Sequence, residues 1–445
     1  MLKEIGIKKI ITVIFIIGGI FAFLIFSNVI KTGSDKGAVS GNIVVWGTIP
    51  FDIMQPYIDQ SNTKTINVTY KVQNKATYES DILNAFAAGR GPDLFIMPHE
   101  NILRNADKIF EIPYTSFSKN DYQSKYINEA NIFLTNTGVL SIPMSVDPMV
   151  MYYNKQLISS AFLIEPPKYW DELSAFSSKI SFVDAGGAIS QSGVAMGTYD
   201  NIRNAKGILT TLLLQNGNRI VGTDLLTGKK RAELAFSDDS FEQAKQALEF
   251  YTSFSDFGNS NYSWNESLDS SLEKFITGEL ALYFGKASEM ENIRKKNPNL
   301  DFDVTLMPQI NETSIKTTYG AMTGVAISKQ TSSKAAAISV ASSLSGKNIS
   351  EKLTRDLSIA PVRRDLLKNK PDDARLTLFY NSAIISNAWF DPEPQSTSIL
   401  FKNLIRSINT DSKNPDAALK RINSELNNVL NRTINLVIEN KQEKK

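Results

Sequence analysis

The sequence contains no cysteine and a single histidine, His99, among its 445 residues. Without cysteine the chain cannot form disulfide bonds, thiolate nucleophiles or cysteine-ligated metal sites, and one histidine cannot build a histidine-rich metal site. The formal net charge is only +2, which gives no reason to expect a nucleic-acid partner. Hydrophobic residues make up 42% of the chain, enough for a buried core, and the length predicts two or three domains. We predict no cofactor and no metal site.

An apolar run near the N-terminus predicts a membrane anchor. Lysines precede an uncharged stretch over residues 10–30, which as a helix would span roughly 30 Å, the thickness of a bilayer core. Cleaved signal peptides usually have a shorter apolar region of about 7–15 residues and a small-residue cleavage site, and no clear site follows this run. Because positive charge favours the cytoplasmic side, we expect residues 1–9 in the cytoplasm, a transmembrane signal-anchor at 10–30 and a polar tether at 31–41. The rest of the chain would face the extracellular or periplasmic side, and a long but cleaved signal is the alternative.

Short apolar or β-branched segments alternate with helix-like segments after the tether. Residues 42–46, 66–72 and 93–97 are predicted strands. Such alternation predicts a mostly parallel sheet covered by helices, and ligands bind such sheets at the carboxyl ends of the strands. Residues 47–48 and 98–100 follow two of these strands, so we expect them near a binding site.

One apolar segment carries a carboxylate that a buried strand should not hold. Residues 142–157 read IPMSVDPMVMYYNKQL, and burial of an unpaired Asp147 would be very costly. The prolines favour two strands joined at residues 145–148, because proline fixes φ and removes a donor.

Six stretches, in order, resemble family 1 extracellular solute-binding proteins of ABC importers, the group that includes maltose- and oligosaccharide-binding proteins. No single stretch is specific, whereas the ordered set is, and the resemblance covers residues 42–430. The six are FAAGRGPDLFIM (86–97), IPMSVDPMVMYYNKQLI (142–158), PPKYWDELSAFSSKI (166–180), FITGELALYFGKASEMENI (275–293), TLMPQ (305–309) and TGVAISK (323–329).

The resemblance implies an α/β fold of the two-lobe periplasmic-binding-protein-like class (type II), each lobe a sheet flanked by helices. Lobe one would hold residues 42–145 and 326–372, and lobe two residues 149–320 and 376–445. It also implies an extracytoplasmic binding subunit that captures a small carbohydrate by hinge closure and delivers it to membrane permease subunits. The lipid-acceptor cysteine of many exported bacterial binding proteins is absent.

Carbohydrate clefts combine aromatic faces with convergent polar groups, and the ends of two predicted strands offer both. Trp46 ends the first strand and Gly47 and Thr48 follow, where the family places ligand contacts. Trp46 could instead be a core residue. Glu100 follows the third strand and fits a cleft rim, while the neighbouring His99 is better interpreted as a surface or rim residue.

Two tryptophans in polar loops, Trp264 and Trp389, are further candidates for stacking on a ligand, and core packing is the alternative for Trp264. Gly285 and Lys286 follow a strand where the family often has glycine and an aromatic or small residue. Lys286 therefore allows an acidic ligand, unless it is a solvated rim lysine. Arg363 could reach the cleft or cap a helix.

Asp147 is interpreted as a hinge residue. Two strands from two lobes would meet there, leaving the carboxylate at the floor of the cleft where water or a ligand hydroxyl could solvate it. The alternative is that Asp147 satisfies backbone donors in the hinge and never meets the ligand.

Two other function classes, an enzyme and a membrane-tethered sensor, are the alternatives to an importer subunit. A glycoside hydrolase would need a pair of carboxylates, but 46 acidic residues make such a pair uninformative. A Ser-His-Asp triad would have to use His99, and no G-x-S-x-G motif surrounds a serine. GTDLLTGKKR (222–231) has five residues between its glycines and lacks the Ser/Thr of a P-loop, so it is interpreted as a polar turn. We predict no enzyme, and a membrane-tethered sensor with the same fold stays open.

Overall fold

The computed structural model describes residues 39–224, 229–311, 316–410 and 415–442. The predicted signal-anchor and most of the tether lie outside these residues. No helix within the described ranges is both long enough and apolar enough to cross a membrane.

Fifteen strands are present in the described ranges, and most are short. They are β1 (Gly41–Gly47), β2 (Ile66–Val72), β3 (Leu94–Pro98), β4 (Ile112–Pro113), β5 (Gly138–Val139), β6 (Ser141–Asn154), β7 (Phe182–Val183), β8 (Ile189–Val194), β9 (Val221–Thr223), β10 (Lys230–Ala232), β11 (Leu280–Lys286), β12 (Phe302–Leu306), β13 (Thr318–Ile327), β14 (Ala360–Pro361) and β15 (Ser386–Asn387).

The helices of these ranges also number fifteen, apart from short 3₁₀ segments. They are α1 (Phe51–Ser61), α2 (Tyr78–Ala87), α3 (Lys119–Lys125), α4 (Lys155–Ser160), α5 (Leu173–Ile180), α6 (Ala205–Gln215), α7 (Asp238–Ser253), α8 (Ser271–Ile276), α9 (Met290–Lys296), α10 (Lys334–Leu344), α11 (Lys347–Asp356), α12 (Arg364–Leu367), α13 (Ala374–Ile384), α14 (Pro394–Thr410) and α15 (Pro415–Gln442).

Two groups of strands, which we name the first and second half-sheets, share the long strand β6. In the first, β1 pairs in parallel with β2 and β3, β13 runs antiparallel between β3 and β6, and β14 adds to β6. In the second, β6 runs antiparallel to both β11 and β12, and β8 and β7 continue beyond β11. The α/β class agrees with the prediction, whereas the expected mostly parallel sheet is corrected. Strands β6 and β13 run antiparallel to most of their neighbours, so the sheet is mixed. The residue boundaries of two lobes stay a prediction.

Strand β6 corrects the expectation of two strands joined at residues 145–148. It is one strand of 14 residues, and its neighbours change from β13 and β14 to β11 and β12 near Pro148. Pro148 lies where the pairing with β13 ends. Pro143 is accommodated because that pairing shifts register between Thr323 and Gly324, opposite Ser145 and Pro143. Such a bulge removes the need for a regular ladder donor at proline.

Candidate functional site

A cavity of about 310 Å³ lies where the two half-sheets meet. Its walls come from the segment after β3, the N-terminal half of α6, the end of β11, the start of β13 and the segment around the start of α14. Its lining residues are Glu100, Tyr199, Asp200, Ile202, Arg203, Asn204, Ala205, Lys206, Gly207, Thr210, Lys286, Tyr319, Trp389 and Ser398.

Glu100 is the carboxylate of the first half-sheet in this cavity. It lies in a 3₁₀ segment directly after β3 and accepts a hydrogen bond from the Tyr319 hydroxyl. Burial alone would raise its pKa, but His99, Lys286, Lys206 and the Tyr319 hydroxyl outweigh burial and lower the pKa to about 2. Glu100 is therefore ionised at neutral pH.

His99, beside it, is buried rather than at the rim, which corrects the prediction from sequence. Burial lowers its pKa to about 4, so the ring is neutral at pH 7 and does not itself hold Glu100 ionised there. Its Nδ1 accepts a hydrogen bond of 3.2 Å from the Met322 backbone, which places the proton on Nε2.

Lys206 joins α6 to the segment that carries Trp389. Its ammonium donates to Asp391 at 2.5 Å and to the Thr397 hydroxyl at 2.8 Å, and it lies 5.4 Å from the centre of the Trp389 ring. Burial raises the pKa of Asp391, and the lysine opposes that rise. Because Lys206 and Phe401 flank the indole, only 3% of Trp389 is exposed.

A second network crosses the cavity near the end of β11. The Asn204 amide donates to the Phe284 carbonyl and to Glu289, both at 3.2 Å. Glu289 also accepts from the Tyr283 hydroxyl and lies 3.5 Å from Arg203. Burial raises the pKa of Glu289, while these donors and the arginine oppose the rise.

The Thr210 hydroxyl is the unusual polar group of this cavity. The residue is 1% exposed, and its Oγ1 has no hydrogen-bond partner among the described residues. Buried hydroxyls normally have a partner, so a ligand atom or a water molecule would satisfy Thr210.

Three of the ten residues predicted from the sequence line the cavity, namely Glu100, Lys286 and Trp389. Lys286 lies in the field of Glu100 and Asp147, because its charge favours the ionised form of both carboxylates. The ionised Glu100 therefore offsets the charge of the lysine, which does not by itself call for an acidic ligand.

Asp147 does not line the cavity. Its carboxylate accepts hydrogen bonds from the Ser288 backbone at 2.9 Å and from the Ser288 hydroxyl at 2.6 Å. Burial raises the pKa of Asp147, and Lys286 and Ser288 oppose the rise. The structure thus favours the alternative in which Asp147 satisfies donors at the crossing of β6.

Two predicted ligand contacts are corrected because their side chains serve other roles. Trp264 is fully buried and its indole nitrogen donates to Asn201 at 3.1 Å, so it is a core residue. Arg363 forms a two-bond ion pair with Asp365, at 3.0 and 2.7 Å, at the start of α12 and outside this cavity.

The glycines and the end of β1 also lie outside the lining. A Cβ on Gly285 would approach Tyr283 to 2.6 Å, so close packing requires this glycine. Trp46 is partly buried and its carbonyl accepts from Tyr78 at 3.0 Å. Gly47 and Thr48 follow it without joining the cavity wall.

The polar residues at the start of α6 were not predicted from the sequence. Asn204 directly precedes α6, and Lys206 and Thr210 lie in its N-terminal half. A polar NIRNAK segment before the apolar run ILTTLLL was the available signal. Tyr319 was also missed. It lies at the start of β13, before the TGVAISK stretch (323–329) that carries the resemblance.

Comparison with known proteins gives a family and a fold. The family model described as "Bacterial extracellular solute-binding protein" matches residues 48–345. A protein of Brucella abortus (strain 2308), described as a binding protein, is 23% identical over 344 residues, covering 75% of this chain and 78% of the relative.

Two solved structures are similar over most of the chain. A cyclo/maltodextrin-binding protein in complex with maltotetraose has a TM-score of 0.71 at 15% identity, covering 88% of this chain and 98% of the other. The sugar-binding protein MalE of Xanthomonas citri has a TM-score of 0.69 at 17% identity, with coverages of 88% and 98%. These likenesses confirm the predicted two-lobe α/β, periplasmic-binding-protein-like fold.

Proposed function

The chain belongs to the bacterial extracellular solute-binding protein family, and on that premise we propose that it is the extracytoplasmic binding subunit of an ABC importer. Its ligand is a small carbohydrate held in the cavity between the half-sheets. Permease subunits in the membrane receive the ligand after the lobes reopen. The structural neighbours support the ligand class, since one is bound to maltotetraose and another is described as sugar-binding.

The charge balance of the cavity is the observation that carries this proposal. Lys206 is paired with Asp391 and Arg203 with Glu289, and Lys286 lies in the field of two carboxylates. A cavity with many polar groups and compensated charge suits a neutral ligand with many hydroxyls, because each hydroxyl both donates and accepts. The Thr210 hydroxyl, which has no partner among the described residues, is available to bond one of these ligand hydroxyls.

Closure of the lobes around the ligand is the proposed motion. The half-sheets are joined through β6, which pairs with β13 in the first and with β11 in the second. A few segment crossings of this kind allow hinge closure. Binding shifts the open–closed equilibrium by the difference in ligand affinity between the two states.

Binding without turnover is supported by the state of the two cavity carboxylates. Glycoside cleavage generally needs one carboxylic acid that is protonated at working pH. Glu100 has a pKa of about 2. For Asp200, burial would raise the pKa, but Lys402 and Arg406 more than offset it and lower the pKa. Both groups are therefore poor general acids at neutral pH.

Residues 10–30 form an uncleaved signal-anchor in this proposal, and the binding domain faces the extracytoplasmic side. Mass spectrometry of the mature protein recovered from the membrane fraction tests this point. A mature chain that begins near residue 30 would contradict the anchor and leave the ligand proposal standing.

A thermal-shift screen of the full chain tests the ligand class. Malto- and manno-oligosaccharides are compared with amino acids, polyamines and phosphate esters. A sugar at about 100 times its dissociation constant should stabilise the protein by roughly 2.7 kcal/mol and be recovered intact. A shift only with another class of compound, or recovery of a cleaved sugar, would contradict the proposal.

A further inference from the structure

A second cavity, of about 390 Å³, shares no lining residue with the first. It is formed where α3 meets the start of α12, since Tyr126 and Arg363 form a β-bridge there. We name it the basic cavity. It is lined by Ser124, Lys125, Lys347, Arg363, Arg364, Asp365, Lys368 and Asn369.

Positive charge in the basic cavity greatly exceeds negative charge. Five of its lining residues are lysine or arginine and one, Asp365, is acidic. Asp365 is fully engaged by Arg363 through bonds of 3.0 and 2.7 Å. Arg364 donates only to uncharged groups, the Gln123 carbonyl at 3.3 Å and the Asn128 side chain at 2.7 Å. Four of the five cations therefore lack a bonded carboxylate among the described residues.

Lys125 shows how unfavourable this arrangement is without a counter-ion. Its ammonium lies over the rings of Phe117 and Tyr126, 5.8 and 5.4 Å from their centres, and it makes no ion pair within the described ranges. Burial, followed by the neighbouring Arg363, lowers its pKa, and Asp365 only partly opposes this. An anion in the cavity would relieve the repulsion that these cations exert on one another.

We propose that the basic cavity binds a phosphate-bearing anion. Three lysine ammonium groups and the free N–H groups of Arg364 offer donors from several directions. A phosphate group presents three strongly accepting oxygens, whereas a carboxylate presents two, and charge-assisted bonds of this kind are the strong ones. The volume also falls within the range of small-molecule sites. The anion is either free in solution or the headgroup of an anionic lipid.

Calorimetric titration of the full chain at low ionic strength tests the inference with two soluble probes. Inorganic pyrophosphate represents a free phosphate ligand, and glycerophosphoglycerol represents a lipid headgroup. The test variant is Lys347→Gln/Lys368→Gln, which removes two exposed charges of the cavity. The matched control is Lys179→Gln/Lys295→Gln, which removes two exposed charges from α5 and α9.

We expect at least one probe to bind, with affinity about tenfold lower in the cavity variant, equivalent to about 1.4 kcal/mol, and unchanged in the control. Binding of pyrophosphate alone supports a free anion, and binding of glycerophosphoglycerol alone supports a lipid headgroup. Binding of neither probe would overturn the inference. So would an equal loss of affinity in both double variants, or equally tight binding of sulfate.

Discussion

At the scale of single residues, we expect removal of the Thr210 hydroxyl to weaken sugar binding without lowering the stability of the fold. Its buried hydroxyl has no partner among the described residues, and an unsatisfied buried polar group costs about 1–3 kcal/mol. In Thr210→Val the free energy of unfolding should stay the same or rise by about 1 kcal/mol. Sugar affinity should fall roughly tenfold, because the hydroxyl contact is lost. Chemical denaturation and calorimetric titration measure the two quantities.

Thr252→Val is the matched control for that substitution. The Thr252 hydroxyl, also buried, donates to the Leu248 carbonyl at 2.9 Å in α7 and lies outside the cavity. Its removal should lower stability and leave sugar affinity unchanged. If Thr210→Val behaved in the same way as the control, Thr210 would not be a ligand contact.

Glu129 is a second informative residue, and it lies beside Gly320 in β13. Its carboxyl oxygens lie close to the backbone of Gly320, and one of them accepts from the Ser386 hydroxyl. Burial raises the pKa of Glu129 to about 8, although the serine opposes the rise. The carboxyl is therefore mostly protonated at neutral pH.

This shift predicts a specific dependence of stability on pH. Between about 4.5 and 8 the folded state keeps the Glu129 proton and the unfolded state releases it, so rising pH favours unfolding. The stabilisation is complete below this window and is lost as pH rises through it, at up to about 1.4 kcal/mol per pH unit. Glu129→Gln should remove that component from the pH profile of the free energy of unfolding.

Denaturant titrations at several pH values measure this slope, and Glu266→Gln, an exposed glutamate, controls for the lost charge. A Glu129→Gln profile that runs parallel to the wild-type profile would refute the assignment.

At the scale of secondary-structure elements, β6 and the segment after β11 are tied together by Asp147 and Ser288. Two hydrogen bonds join these residues. A double-mutant cycle with Asp147→Asn and Ser288→Ala should therefore give a coupling free energy of about 1–2 kcal/mol, because contacting residues do not act additively. Denaturation of the four proteins provides the values.

Ser407→Ala on α14 serves as the remote partner for Asp147→Asn. Ser407 bonds only within its own helix, to the Leu404 carbonyl at 2.9 Å, so that pair should be additive within about 0.5 kcal/mol. Additive effects in the Asp147–Ser288 cycle as well would show that the tie contributes nothing to stability.

Most elements followed from their hydrophobic period, and the exceptions have a physical cause. The strands predicted at residues 42–46 and 66–72 match β1 and β2 closely, because both are continuous runs rich in β-branched residues. Strand β6 was divided in two since proline usually ends a strand. The bulge at Pro143 arises from the pairing of β6 with β13, and the sequence of the segment alone does not show that pairing.

Site residues were harder to predict than elements, because facing the cavity depends on neighbours far along the chain. Trp264 and Trp389 both lie in polar segments. The indole of Trp264 is buried and donates to Asn201, whereas the ring of Trp389 contacts Lys206 at the cavity. Arg363 was a candidate cleft residue, but it forms an ion pair with the nearby Asp365 and lies outside the cavity between the half-sheets. Local composition does not distinguish these outcomes.

At the scale of the whole molecule, the ordered set of six family-like stretches predicted the two-lobe fold, and the solved neighbours confirm it. Order along the chain identifies a fold well because it reflects topology. The order of the stretches does not predict the charge balance of the cavity. This balance depends on pairs such as Lys206 and Asp391, which are separated by 185 residues.

Calorimetric titration with the sugar that gives the largest thermal shift tests the central claim most directly, using Trp389→Phe and Trp264→Phe beside the wild type. We expect one sugar bound per chain, with a binding free energy near −8 kcal/mol if the affinity is micromolar. Trp389→Phe should weaken binding, and Trp264→Phe should lower stability while affinity is kept. Absence of binding for every sugar, or equal affinity in both variants, would contradict the account.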